Sequence, residues 1–114
     1  MDKCLTEKHE SIRNKLTCSK EYGLCVESAS EIFALLGDKT RMKIVLALME
    51  GELCVYHICE ITGGKQSAIS QHLRKLKDGH LVKCRKEANQ VLYSLADEHV
   101  SLIIETALAH RYCD

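Results

Sequence analysis

The stretch Lys65-Gln66-Ser67-Ala68-Ile69-Ser70-Gln71-His72-Leu73-Arg74-Lys75-Leu76 has two faces. Ile69, Leu73 and Leu76 recur at helical spacing, while Ser67, Ser70, Gln71 and Arg74 recur at i, i+3, i+4 and i+7 on the opposite side. A merely solvated helix would more often carry Glu/Lys pairs on that outer side. Short hydroxyls, an amide and a guanidinium instead suit base edges and phosphates in a major groove. The helix is expected to stop at Asp78-Gly79, with the glycine as a left-handed cap.

The flanks extend the pattern. Upstream, Val55, Ile58 and Ile61 mark a short amphipathic helix, and Thr62-Gly63-Gly64 supplies a turn. Downstream, Leu81 to Arg85 and Val91 to Leu95 read as two strands joined by the polar loop Lys86 to Gln90. Helix, glycine turn, helix and hairpin make a winged helix-turn-helix, so the fold is expected to be mainly α with a small β-hairpin. The bland alternative is a small α+β domain whose polar helix face is simply wet.

Before this unit, Ala29, Ile32, Phe33 and Leu36 form a helical stripe closed by Gly37. Asp38 is placed to cap a second helix, Lys39 to Met49, with Met42, Val45, Leu46 and Met49 facing the core. Residues 1–25 are polar and read as an arm with one marginal helix, leaving residues 26–114 as the domain proper. The chain has no proline.

A length of 114 residues supports one modest core, which a small helical domain often supplements by dimerising. No apolar run would span a bilayer, and the N-terminus lacks the apolar core of a signal peptide, so a cytoplasmic location is expected. Seven cysteines in such a compartment suggest metal ligation or redox sensing rather than a disulfide scaffold. Net charge is zero, yet residues 65–86 hold seven basic side chains (Lys65, Arg74, Lys75, Lys77, Lys83, Arg85, Lys86) against the single Asp78. That positive field coincides with the reading unit and points to phosphate contact. Lys65, Gln66, Ser67, Ser70, Gln71, Arg74, Lys75, Arg85, Lys86 and Gln90 are therefore the candidate contacts to double-stranded DNA.

The terminal helix, Asp97 to Tyr112, carries Val100, Ile103, Ile104, Ala107 and Leu108 on a face too broad for one partner, as half of a homodimer interface would. Asp97, His99, His110 and Cys113 lie on or beside it, and all are competent metal ligands. His99 and His110 point the same way within about 20° but stand roughly 16 Å apart along the axis. Ligand bonds of about 2.0–2.3 Å do not let one chain close that gap. Two antiparallel copies would bring Asp97 and His99 of one beside His110 and Cys113 of the other, as an O, N, N, S tetrahedron. Taken singly, each residue has an innocent reading as a cap, an exposed imidazole or an idle thiol.

On Leu36-Gly37-Asp38-Lys39-Thr40-Arg41, Glu52-Leu53-Cys54-Val55, Ser67-Ala68-Ile69-Ser70-Gln71-His72-Leu73 and the terminal Asp97-x-His99 with His110-x-x-Cys113, the chain resembles the ArsR/SmtB family of metal-sensing winged-helix repressors. The resemblance covers about residues 26–113. It implies a homodimer that binds operator DNA without metal and releases it on binding zinc, or cadmium, cobalt or nickel, at the terminal helix, derepressing efflux or sequestration genes. His110 would transmit the signal through its non-ligating ring nitrogen. Three positions depart from the family pattern: Cys113 where Glu or His is common, Lys65 where Ser usually caps the reading helix, and Lys39 where Pro is usual.

In cadmium- and lead-sensing relatives, two cysteines of a Glu-Leu-Cys-Val-Cys motif join cysteines of the other chain's arm. Here Cys54 keeps the first place and Tyr56 takes the second. A second metal or redox site from Cys54 with Cys4, Cys18 or Cys25 is the alternative the resemblance implies. Cys59 and Cys84 read as core or surface thiols. A thiol enzyme is a further rival, but no cysteine here sits in a recognisable nucleophile motif. A winged-helix protein-interaction module would lack salt-dependent DNA affinity.

Overall fold

The computed structural model describes residues 3–16 and 25–112, with side chains from residue 6 in the first stretch and from residue 26 in the second. Cys18 and Cys113 lie outside the described residues, as do the side chains of Cys4 and Cys25. The chain divides into two compact units, Met1–Ala34 and Leu35–Asp114. The first contains α1 (Lys3–Leu16), whose described side chains are all exposed, and most of α2 (Cys25–Leu36). Of the apolar stripe expected on α2, only Leu36 is buried, and Phe33 is exposed.

The second unit runs α3 (Lys39–Leu48), β1 (Leu53–Cys54), α4 (Val55–Thr62), α5 (Gln66–Asp78), β2 (Val82–Glu87), β3 (Gln90–Leu95) and α6 (Glu98–Tyr112). Its core gathers Ile44, Val45 and Leu48 of α3, Ile58 of α4, Ile69, Leu73 and Leu76 of α5, Leu81 and Val82, and Val100 and Ile104 of α6, each no more than 4% exposed. Asp38 caps α3 as expected, its carboxylate accepting the Arg41 backbone N–H at 3.0 Å. The buried face of α3 is rotated from the expected one: Val45 is shared, but Ile44 and Leu48 replace Met42, Leu46 and Met49, which are half-buried. Amphipathic stripes at 3.6 spacing overlap, and a helix covered on two sides buries the positions between them.

The turn between α4 and α5 follows its sequence. Gly63 ends α4 in the left-handed region at φ 75°, where only glycine is free of strain. Thr62 Oγ1 donates to the Ile58 carbonyl at 2.8 Å and accepts the Gly64 N–H at 3.3 Å. A Cβ on Gly64 would come within 2.7 Å of the Ile69 side chain, so the second glycine makes room for the first core residue of α5. At the other end of α5 the expected left-handed glycine is not found: Gly79 has φ −85° and His80, at φ 61°, makes the turn. Glycine is needed at 79 for space instead, since a Cβ there would collide with the Leu35 side chain.

The sheet is antiparallel in the order β1-β3-β2. The hairpin pairs from Val82 with Leu95 to Glu87 with Gln90, so the expected five-residue loop contracts to Ala88-Asn89, with Ala88 at φ 54°. Backbone ladder bonds outweigh the polar character of Lys86, Glu87 and Gln90, which all join the strands. Sequence patterning missed β1 because two residues show no alternation; pairing of Leu53 with Tyr93 and Cys54 with Leu92 creates it. Among the described residues no helix is long and apolar enough to cross a membrane.

Candidate nucleic-acid interface and metal-ligating residues

One side of α5 is sealed into the core, because Ile69, Leu73 and Leu76 are fully buried. The other side is open: Gln66, Ser67, Ser70, Gln71, Arg74 and Lys75 are all exposed. Lys65, at the N-cap, is exposed and makes no side-chain cap bond, so the first-turn N–H groups of α5 have no side-chain cap at the positive end of the helix. α5 packs on α3, α4 and β2, which fixes its axis within the unit. The hairpin stands beside it, and Ser70 of α5 shares a cleft with Asn89, Gln90 and Val91 at the hairpin tip and with Tyr56 and Tyr93. Lys83, Lys86 and Gln90 are exposed on that hairpin.

Arg85 differs from the other candidate contacts. Its Nε donates to Glu52 Oε2 and its Nη2 to Glu52 Oε1, both at 2.8 Å, and Nη2 lies 2.8 Å from Glu87 Oε2. These hydrogen bonds hold the Glu52 carboxyl below the usual carboxylate range and raise the guanidinium further above its own.

A second polar cluster was not anticipated. Arg41 Nε donates to the Leu35 carbonyl at 2.7 Å, and its Nη1 lies 3.4 Å from His72 Nδ1 on α5. His72 Nδ1 is also 3.9 Å from Asp38 Oδ2. The backbone N–H of Arg41, then the charges of Arg41 and His72, hold the Asp38 carboxyl below its ordinary value. The signal in the sequence was a polar residue, His72, within the apolar stripe of Ile69 and Leu76.

On α6 the metal-ligating types separate into two groups. Asp97 Oδ1 accepts the His99 backbone N–H at 2.9 Å and lies 3.2 Å from His99 Nδ1, with both side chains more than half exposed. His110 is exposed near the other end of the helix. Among the described residues of one chain no three His, Cys, Asp or Glu side chains gather to hold a metal ion. Cys54 is buried at the start of α4, and Cys59 and Cys84 are half-buried free thiols.

Residues 38–83 match the family described as "Bacterial regulatory protein, arsR family". A cadmium resistance transcriptional regulatory protein CadC homolog of Staphylococcus aureus is 43% identical over 83 residues, covering 72% of this chain and 69% of the relative. The transcriptional repressor SmtB of Mycobacterium tuberculosis (strain H37Rv) is 35% identical over 85 residues, covering 75% of this chain and 63% of the relative. A homodimeric winged helix-turn-helix DNA-binding domain from Mycobacterium bovis superposes with a TM-score of 0.71 at 28% identity, covering 82% of this chain and 90% of that one.

Proposed function

The chain belongs to the ArsR family of winged helix-turn-helix transcriptional regulators, and on that premise we propose that it is a homodimeric repressor that binds operator DNA when metal-free and releases it when metal binds. The observation that carries the DNA half is the division of α5 into a sealed apolar side and an open side of Ser67, Ser70, Gln71 and Arg74. Inserted in a major groove, those groups would meet base edges while Lys65, Lys75 and Lys86 meet phosphates.

The sensing half rests on α6. Asp97 and His99 already sit head to head on an exposed corner, and they offer one oxygen and one nitrogen donor, half of a four-coordinate set. His110 and Cys113 of a second copy would supply the other half, giving two equivalent sites per dimer. The donor set fits zinc, with cadmium or cobalt as softer or similar alternatives. Zinc bound there would supply a cross-link between the two α6 helices that favours one dimer arrangement. The protein's part is to hold two arrangements, only one of which sets the two α5 helices about one DNA turn apart. His110, with its second ring nitrogen free to bond backbone, would couple the site to the rest of the chain.

Native mass spectrometry of the reduced protein during a zinc titration tests the site, and fluorescence anisotropy on labelled duplex tests the coupling. The dimer should take up two zinc ions, and His99→Ala should abolish zinc-driven release while leaving metal-free DNA binding intact. Release that survives His99→Ala would remove α6 from the sensing role.

A second reading, a thiol site for cadmium, lead or an oxidant at Cys54 and the arm cysteines Cys4, Cys18 and Cys25, is favoured by the relative's name as a cadmium resistance regulator. Four soft ions per dimer, or release by peroxide that Cys54→Ser prevents, would select it.

A further inference from the structure

Lys83, Arg85 and Glu87 share one face of β2, as the two-residue period of a strand requires. Glu52 precedes β1, two strands away in the order β1-β3-β2, and Cys54 and Arg85 are both in register with Leu92 of the middle strand. The Glu52 side chain therefore reaches Arg85 across β3. It takes the guanidinium edge formed by Nε and Nη2 with both carboxylate oxygens, and Glu87 takes a further bond from the same Nη2. A DNA phosphate would seek that same two-donor edge, because carboxylate and phosphate match the guanidinium fork alike. Two carboxylates against one guanidinium also leave this group with a net negative charge, flanked by the exposed Lys83 and Lys86.

We propose that Glu52, assisted by Glu87, is an affinity-setting residue that withholds Arg85 from the DNA backbone, so that the hairpin meets phosphate through its lysines alone. The inference rests on the DNA-binding reading above. For Arg85 to change partners, two carboxylates would be left unpaired beside the phosphates, and like-charge repulsion opposes that exchange. The bidentate Glu52–Arg85 pair thus sets an upper limit on the number of phosphates each hairpin neutralises.

The test is the salt dependence of binding, because the slope of log affinity against log salt counts phosphate contacts and a merely structural role would not move it. The probe is a short fluorescein-labelled duplex of mixed sequence, titrated with reduced, metal-free protein at several potassium chloride concentrations. Glu52→Gln should tighten binding and steepen the slope by about 0.9 for each Arg85 that gains a phosphate, hence by roughly 1.8 for a dimer engaging both hairpins. Glu87→Gln should move the slope in the same direction. Arg85→Gln alone should leave the slope of the parent protein unchanged, and the double variant Glu52→Gln/Arg85→Gln should return to it. A shallower slope for Arg85→Gln alone would show that Arg85 already holds a phosphate and would overturn the proposal. So would a gain from Glu52→Gln that persists in the double variant, since it would come from lost repulsion and not from Arg85. If the parent binds with a salt slope and Glu52→Gln does not change it, this inference alone fails. A parent without salt-dependent binding would overturn the DNA-binding reading with it.

Discussion

Leu73 and Gln71 lie two residues apart on α5 and should behave as opposites when each is cut to alanine. Leu73 is fully buried on a helix packed against α3, α4 and β2, so its removal leaves a cavity walled by fixed elements. Leu→Ala changes at such sites cost about 2–5 kcal/mol, the upper half applying where the walls cannot collapse. Against a total stability of about 5–15 kcal/mol for a small domain, that is a large fraction. At roughly 4–8 °C per kcal/mol for a unit of this size, the upper half of that range means that Leu73→Ala should lower Tm by about 14–40 °C. Gln71 is exposed on the open side, so Gln71→Ala should change stability by no more than about 0.5 kcal/mol. Its effect should appear in binding, where losing a two-bond contact to a base costs about 1–3 kcal/mol of discrimination, or roughly 5- to 150-fold. Thermal melts at one protein concentration, since dimerisation shifts Tm by mass action, would be paired with anisotropy on duplexes selected from a random-sequence pool. A Gln71→Ala protein that melts like Leu73→Ala, or a Leu73→Ala protein that melts like the parent, would mean that α5 is rotated from the orientation described. The assignment of its open side to DNA would then fall.

Two further outcomes follow from backbone and charge. Gly63→Ala should destabilise the domain by about 1–2 kcal/mol in urea unfolding, because φ 75° is left-handed and nothing lies within 4 Å of the added Cβ to contribute otherwise; Gly63→Asn should cost less, and equal losses would place the effect elsewhere. The Asp38 carboxyl is held below its ordinary value, so its contribution is present above the unfolded-state value near 3.8 and is lost as pH falls through the folded value. Asp38→Asn keeps a capping side chain without the titration, so the stabilities of parent and variant should begin to approach one another only below the unfolded-state value near 3.8 and should converge once pH has fallen past the lower folded value; a gap that stays constant as pH falls through that window would rule out the carboxylate charge as its source.

Local periodicity made the reading unit legible. Spacing alone places Ile69, Leu73 and Leu76 in the core, and residue type alone places Asp38 at its cap and Gly63 in its turn, as the structure has them. What escaped depends on partners far along the chain. β1 exists only because β3 pairs with it, and the hairpin loop is two residues because Glu87 and Gln90 join the ladder. The Arg41–His72 contact spans 31 positions and the Glu52–Arg85 pair spans 33, so neither leaves a trace in a helical or strand period. A charge count over residues 65–86 could register Arg85 as one more cation. It could not register the carboxylate that occupies it.

The terminal helix shows the same limit from the other side. Val100 and Ile104, one turn apart, are buried, and α6 packs against β3. Beyond them the apolar pattern continues through Ala107, Leu108 and Tyr112, yet every described residue from Glu105 onward is exposed. Ile61 of α4 and Leu102 are likewise exposed. A second copy laid antiparallel along α6 would cover the face that β3 leaves open, and the same arrangement would carry Asp97 and His99 to the partner's His110. On the proposed function, burial and ligation would thus be two consequences of one pairing. Substituting Leu108 by a charged residue should then weaken dimerisation and zinc uptake together, whereas a site closed within one chain would keep its zinc when the dimer is lost.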